Sequence, residues 1–180
     1  MNMHKQLCDL LSEKSLRRGD FVLASGKRSS FYIDARMTTM SGKGQQLIGQ
    51  LGLHALDQAG WKPRAVGGLT LGADPVAYAI AHAAALCDRG LDAFTVRKEA
   101  KSHGAGRLIE GPLESGWSVV VVEDTITTGD SALRAVQAVR AAGAEVVGVL
   151  VVVDREEGGQ EHIADNGLPL LSLVKVSELL

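Results

Sequence analysis

The segment Val119–Ser131, which reads VVVVEDTITTGDS, restricts the fold of this chain more than any other. Four consecutive valines are apolar on both faces, and such a run is typical of a strand buried inside a parallel sheet. We expect this strand to stop at Glu123 and Asp124, after which a loop of threonines and a glycine leads into a helix that begins at Ser131. Because a helix N-terminus attracts anions and carboxylates bind sugar hydroxyls or a divalent metal, the segment suits a phosphorylated sugar. The alternative is an ordinary strand–loop–helix connection with a polar cap.

The composition predicts one domain with a hydrophobic core, since hydrophobic residues make up 46% of the 180 positions. The formal net charge of −2, with both signs mixed along the chain, argues against nucleic-acid binding. Cys8 and Cys87 are too few and too isolated for a disulfide framework or a structural zinc site. The chain start has no signal-peptide pattern and no apolar run is long enough to span a membrane. A cytoplasmic protein is therefore expected.

The first forty residues are expected to form a separate small structure. Leucines at helical spacing predict a helix over His4–Leu16, closed by the basic residues and glycine of Arg17–Gly19. The following segment, FVLASGKRSSFYIDAR, predicts two strands around the turn Ser25–Arg28. We interpret residues 1–40 as a hood attached to an α/β core of residues 41–180, within a single domain.

From Ala65 onward, predicted strands and helices alternate, which indicates a mostly parallel sheet covered by helices on both faces. The helix after the first of these strands is expected to be capped by Asp74, with Pro75 in its first position. The other predicted elements are helices at Gln45–Gln58, from Val76 to Cys87 and at Gln160–Asp165, and strands at Ala65–Leu69, Ala93–Arg97, Val146–Val153 and Leu168–Lys175.

Three further segments could bind a ligand. The loop GGLTLGADP (67–75) has glycines that allow close backbone approach and amides that attract anions, although a tight turn alone would also need glycine. The turn after Val153 places Arg155 where it could bind a carboxylate or the edge of a base, unless it is only a charged surface turn. A basic, glycine-containing loop is either a solvated face or a lid that closes on a polyanion. Its basic residues are Arg97, Lys98, Lys101, His103 and Arg107.

Neither the P-loop pattern nor GxGxxG occurs, which removes the main support for ATPase and nicotinamide-dependent functions. VVVVEDTITTGDS instead resembles the phosphoribosyl-pyrophosphate (PRPP) signature of the type I phosphoribosyltransferases. FVLASGKRSSFYIDAR, VRKEAKSHGAGRLIEG and VLVVVDREEGG resemble the orotate phosphoribosyltransferase family in particular, and GGLTLGADP matches the pyrophosphate loop of its shorter bacterial type. The similarity covers nearly the whole chain in the same order.

The resemblance implies a transfer of ribose 5-phosphate from PRPP to orotate in pyrimidine synthesis, with Mg²⁺ held mainly by PRPP rather than by dedicated protein ligands. Glu123 and Asp124 would hold the ribose hydroxyls, and Arg155 would bind orotate with Thr127 and Lys27 nearby. The 5′-phosphate would be wrapped by Thr125, Ile126, Thr127, Thr128, Gly129, Asp130 and Ser131. The pyrophosphate would be reached by Arg97, Lys98, Lys101 and His103. The implied catalytic residues are Lys101, expected to contribute most, with Lys98, His103 and Asp124.

The resemblance also implies a homodimer in which the basic loop acts across the subunit interface, and a hood over the base formed around Lys27, Phe31, Tyr32 and Ile33. The chain departs from longer family members at two places. Ala24 stands where they carry a lysine, and Thr70 with Leu71 stands where they carry an aromatic–lysine pair. The contacts made from those positions are therefore not carried over, and Lys27 is a substitute for only one of them.

Three other functions remain open from the sequence. The first is a phosphoribosyltransferase for another base, although the KEAKSHG loop and the DREEGG turn are not typical of the purine enzymes. The second is a regulatory protein that senses PRPP and binds nucleic acid, against which the near-neutral charge argues. The third is a metabolite-binding module without catalysis.

Overall fold

The computed structural model describes residues 2–22, 26, 28–99 and 108–180. In chain order its elements are α1 (Met3–Lys14), β1 (Leu16–Val22), β2 (Arg28–Ile33), α2 (Arg36–Thr39), α3 (Gly42–Gln58), β3 (Ala65–Leu69), α4 (Ala73–Ala85), β4 (Asp92–Val96), β5 (Ile109–Glu110), β6 (Ser118–Ile126), α5 (Asp130–Ala141), β7 (Glu145–Asp154), α6 (Gly159–Asp165), β8 (Leu170–Lys175) and a 3₁₀ helix (Val176–Glu178).

A six-stranded sheet in the order β5-β4-β3-β6-β7-β8 forms the centre of the structure. All its pairs are parallel except β4 with β5, so the predicted mostly parallel sheet is confirmed. The four valines of β6 are fully buried and alternate between two cores. Val120 and Val122 pack in the core with α1, α3 and α4, whereas Val119 and Val121 pack in the core with α5 and α6.

The N-terminal hairpin is a separate antiparallel sheet of β1 and β2, as the sequence predicted. The predicted end of the first helix was wrong, because α1 ends at Lys14 and Arg17–Gly19 lies in β1. The reason is strand pairing: Arg17 pairs with Tyr32, and Leu16 with Ile33, which supplies β1 with backbone partners outside its own segment. Ser15 ends the helix instead, with its N–H bonded to the Leu11 carbonyl.

Two other predicted helix starts were also displaced. α3 begins at Gly42, three residues before the predicted Gln45, because the Ser41 hydroxyl accepts the Gly44 N–H (3.1 Å) and caps the helix. α4 begins at Ala73, so Asp74 lies within its first turn and does not cap it. None of the helices in the described ranges is long and apolar enough to cross a membrane.

Candidate active site

The end of β6 lies at the carboxyl edge of the central sheet, where ligands bind in open α/β folds. The prediction that the strand stops at the two acids was wrong, because β6 continues to Ile126. Thr125 pairs with Val153 and Ile126 with Asp154, so the unusually long β7 provides backbone partners for these residues. The loop is therefore shorter than predicted, and α5 begins at Asp130 rather than Ser131.

Glu123 and Asp124 differ in burial, as expected for neighbours on a strand. Glu123 is 6% exposed, whereas Asp124 is half-buried. Burial, followed by the nearby Asp124 and Asp74 carboxylates, raises the pKa of Glu123 to about 8. A cation or a ring of hydroxyls at this place would relieve that accumulation of negative charge.

The loop between β3 and α4 approaches these carboxylates closely, and Gly72 is the residue that permits it. A Cβ at position 72 would lie 2.6 Å from Asp124 Oδ1 and 2.8 Å from Glu123 Oε1. Asp74 holds the loop in place, because it accepts hydrogen bonds from the hydroxyls of Thr70 (2.6 Å) and Thr95 (2.8 Å). The peptide bond between Thr70 and Leu71 is cis.

The loop between β6 and α5 forms a pocket of about 190 Å³ at the N-terminus of a 12-residue helix. Gly129, with φ +91°, turns the chain from the strand into the helix in a conformation that favours glycine. The Thr128 hydroxyl donates to Asp130 (2.8 Å), and the Thr128 carbonyl lies 2.8 Å from Nδ1 of His162 on α6. Amides at a helix start, surrounded by hydroxyls, can hold a phosphate group.

A cleft of about 1170 Å³ separates the β1–β2 sheet from the end of β7. Arg155 lies in its wall with a side chain only 11% exposed, and its guanidinium stands 5.7 Å from the ring of Phe31. Arg155 Nη2 lies 2.7 Å from Glu157 Oε1, but the angle is not that of a hydrogen bond. Arg155 Nε has no hydrogen-bond partner among the described residues. A planar anion in the cleft would give this buried cation a partner.

A third cavity, of about 340 Å³, lies between the large cleft and the pocket at the start of α5, and we call it the middle cavity. Thr127 lines all three. Its wall contains both carboxylates of β6, the Gly72 loop and Lys98. It also contains Asp34 and Arg36, which the sequence analysis missed. Arg36 binds Asp34 through Nε (2.9 Å) and Nη2 (3.1 Å), and the hydrogen bond from Arg36 lowers the pKa of Asp34.

The structure thus brings together most of the residues predicted for the site. Arg97 lies at the end of β4, with Nη1 3.6 Å from Glu110 Oε1, and Lys98 follows it at the cavity wall. Phe31 and Tyr32 line the cleft as predicted for the hood, together with the unpredicted Phe21. Lys27, Lys101, His103 and Arg107 lie outside the described residues. The missed residues Phe21, Asp34 and Arg36 belong to the segment FVLASGKRSSFYIDAR, but only the folded hairpin shows that their side chains line these cavities.

Comparison with known proteins gives concordant results. The phosphoribosyl transferase domain family matches residues 42–168. Orotate phosphoribosyltransferase of Corynebacterium glutamicum is 53% identical over 97% of this chain and 92% of that protein. The Aquifex aeolicus enzyme of the same name is 49% identical over 98% of this chain and 97% of its own length. The structure of Mycobacterium tuberculosis orotate phosphoribosyltransferase in complex with PRPP superposes with a TM-score of 0.85, at 44% identity and 99% coverage of both chains.

Proposed function

Because the chain belongs to the phosphoribosyltransferases, and among them to the orotate phosphoribosyltransferase family, we propose that it transfers ribose 5-phosphate from PRPP to orotate. The products are orotidine 5′-monophosphate and pyrophosphate, a step of pyrimidine synthesis. One observation of the site carries the assignment of the base. A nearly buried guanidinium, Arg155, faces a cleft that joins a phosphate-binding pocket through Thr127. Orotate, unlike purines and uracil, carries a carboxylate that would pair with this cation.

The three cavities correspond to the 5′-phosphate of PRPP, the ribose of PRPP and orotate. The 5′-phosphate occupies the pocket formed by residues 125–131, the ribose hydroxyls meet Glu123 and Asp124, and orotate enters the cleft with Arg155, Thr127 and Lys27. Residues 1–40 act as a hood over the base within a single domain. The aromatic rings of Phe31 and Tyr32 at the cleft wall support this role.

In the reaction, a bond forms between the N1 nitrogen of orotate and C1 of the ribose, while the bond from C1 to the pyrophosphate oxygen breaks and the proton of N1 is released with the pyrophosphate. Positive charge develops on the ribose and negative charge on the leaving pyrophosphate. Asp124 stabilises the former, while Arg97, Lys98, Lys101 and His103 stabilise the latter. Closure of the loop that carries these basic residues would keep water away from the cation-like sugar.

The oxygen donors of the middle cavity fit Mg²⁺. Asp124 and Glu123 line that cavity, and carboxylate oxygens are among the ligands this ion prefers. The protein residues would hold the ion through PRPP oxygens and through Asp124. When bound, Mg²⁺ would neutralise negative charge that develops on the leaving pyrophosphate.

We propose a homodimer in which the loop 97–111 reaches the partner's site. Its support is a set of exposed large apolar side chains, a feature that often marks an interface. They are Met37, Met40, Leu71, Tyr78 and Leu86.

The proposed activity is tested by following orotate absorbance with PRPP and Mg²⁺, with adenine, guanine, hypoxanthine and uracil as alternative acceptors. Turnover of orotate alone is expected, and its absence would refute the proposal. Binding to nucleic acid, measured in parallel, should be absent if the chain is an enzyme rather than a regulator.

The assignment of the base is tested by Arg155→Ala, which should raise the KM for orotate roughly tenfold to a hundredfold, because it removes charge-assisted hydrogen bonds. The KM for PRPP should hardly change. Arg140→Ala, at an exposed position of α5, is the matched control. An equal rise in both KM values would place Arg155 outside the orotate site.

A further inference from the structure

Three potential metal ligands meet where α1 and the C-terminal 3₁₀ helix lie side by side, outside the three cavities described above. His4 and Cys8 lie one turn apart on α1, and Glu178 lies in the 3₁₀ helix near the end of the chain. His4 Nε2 stands 3.3 Å from Glu178 Oε2, and Cys8 Sγ stands 4.0 Å from His4 Nε2. The three ligand atoms all lie within 4.8 Å of one another.

The backbone already holds these side chains in place. Glu178 Oε1 accepts the N–H of Lys175 (2.7 Å), which leaves Oε2 directed at His4. The His4 N–H is bound by the Asn2 side chain (3.0 Å) at the capped start of α1. Cys8 is half-buried against the core, and the side chains of His4 and Glu178 are each 40% exposed. An ion could therefore enter from solvent without unfolding either helix.

We propose that His4, Cys8 and Glu178 form a binding site for a Zn²⁺-like divalent ion. A thiolate, an imidazole and a carboxylate are the ligand types that Zn²⁺ takes, and tetrahedral coordination separates such ligands by about 3.3–3.8 Å. The spacing of 3.3 Å between His4 and Glu178 lies within that range, and the 4.0 Å between Cys8 Sγ and His4 Nε2 exceeds it by less than the reach of side-chain rotations. Water from solvent takes the fourth position, and the Cys8 thiol releases its proton to solvent on binding. Mg²⁺, which prefers six oxygen ligands, does not compete.

The site would join the N-terminal helix to the C-terminal segment, a role that goes beyond the proposed transferase activity. This segment also contacts β1, since Arg18 Nη2 donates to the Leu180 carbonyl (2.6 Å). Val176 and Leu180 line the large cleft. An ion between α1 and Glu178 would therefore stabilise one wall of the cleft without contacting the reactants.

Titration of the full chain with Co²⁺, in the absence of PRPP, tests the proposal directly. Co²⁺ replaces Zn²⁺ in such sites and gives a thiolate-to-metal absorption band when a cysteine is a ligand. One saturable Co²⁺ per chain with this band is expected, and excess Mg²⁺ should not displace it. The band should disappear in Cys8→Ser and weaken in His4→Ala. It should persist in the control variants Cys87→Ser and His54→Ala, both at exposed positions.

Thermal unfolding gives a second readout that does not depend on activity. Zn²⁺ at about a hundred times its Kd should raise the Tm by roughly 5–10 °C in the wild type and in both controls, but not in His4→Ala. If Cys8→Ser does not fold, His4→Ala and Glu178→Gln still decide the matter, because both positions are partly exposed. A band that survives Cys8→Ser, or Co²⁺ binding without any band, would overturn the proposal.

Discussion

At the scale of single residues, Arg155 combines a permanent charge with nearly complete burial, which is costly unless a partner compensates it. Within the described residues, its close partner is the Glu157 carboxylate, at 2.7 Å from Nη2. The orotate carboxylate must compete with this contact when it enters the cleft. If Arg155 binds orotate as proposed, Glu157 supplies the negative charge beside the guanidinium until the substrate enters.

Removing that charge should favour the substrate. We expect Glu157→Gln to lower the KM for orotate about threefold, because the guanidinium no longer has to exchange one anion for another. The Tm of the free protein should fall, since the buried cation loses its charged partner. Steady-state kinetics and thermal unfolding measure the two effects, with Glu161→Gln on α6 as the control. A raised KM would instead mean that Glu157 orients Arg155 for binding.

Glu123 makes the stability of the free enzyme depend on pH. Its pKa is about 8 in the folded chain against an ordinary 4.5, so the folded state favours the protonated form. The stabilisation is fully present below pH 4.5 and is lost as the pH rises towards 8. Within that window, this one group should lower the free energy of unfolding by up to about 1.4 kcal/mol per pH unit.

The experiment compares urea unfolding of the wild type and of Glu123→Gln across this pH range without Mg²⁺ or PRPP. The substitution keeps the acceptor for the Asp124 N–H, which lies 3.3 Å from Glu123 Oε1, but cannot ionise. The free energy of unfolding of the variant should lack the pH-dependent contribution of Glu123. The variant should therefore be more stable than the wild type at pH 8. Glu145→Gln, exposed at the start of β7, should behave like the wild type. If the free energy of unfolding changed with pH in the same way for the wild type and Glu123→Gln, the raised pKa of Glu123 would be contradicted.

At the scale of elements, the contact between the Gly72 loop and the end of β6 leaves no room for a side chain. Gly72→Ala should displace Asp124 and lower kcat/KM for PRPP by at least about tenfold, because small displacements of positioning groups are costly in catalysis. The KM for orotate should change much less. Gly90→Ala is the matched control, since a Cβ there would meet nothing within 4 Å. Equal effects of the two substitutions would show that the displacement does not reach the ribose site.

The sequence predicted the elements whose cause is local and missed those fixed by distant partners. The valine run of β6 and the strand Ala65–Leu69 were found because buried parallel strands are apolar throughout. The extension of β6 to Ile126 was missed because it depends on pairing with β7. Asp74 resembled a helix cap in sequence, but its actual partners are Thr70 and Thr95, and Thr95 belongs to another strand.

The candidate site shows the same division. Glu123, Asp124 and Thr127 follow a motif and were identified from it, whereas Asp34 and Arg36 line the middle cavity because a hairpin folds over the sheet. The sequence did not predict a zinc site, because two isolated cysteines are too few to form one by themselves. His4 and Glu178 reach Cys8 only in the fold, where the two ends of the chain meet.

At the scale of the whole molecule, different parts of the chain line the three connected cavities. In the proposed function, the sheet edge holds PRPP, and the hairpin with the end of β7 holds orotate. Lys98, which follows β4 at the start of the basic loop, lies at the wall of the middle cavity. Whether this loop serves its own site or that of the partner subunit decides whether one folded chain is enough for activity.

Subunit mixing distinguishes the two arrangements. Lys101→Ala should lower turnover by roughly a hundredfold or more, because it removes one preorganised charge donor. Asp124→Ala should also lower activity, because it removes the carboxylate proposed to hold the ribose. If the loop acts across a two-fold dimer, each mixed dimer contains one intact site, so random equal mixing should recover about a quarter of wild-type activity. A mixture of Lys101→Ala with His103→Ala should recover nothing, because both substitutions lie in the same loop. If the first mixture also stays inactive although mass measurement shows mixed dimers, the loop closes over its own subunit.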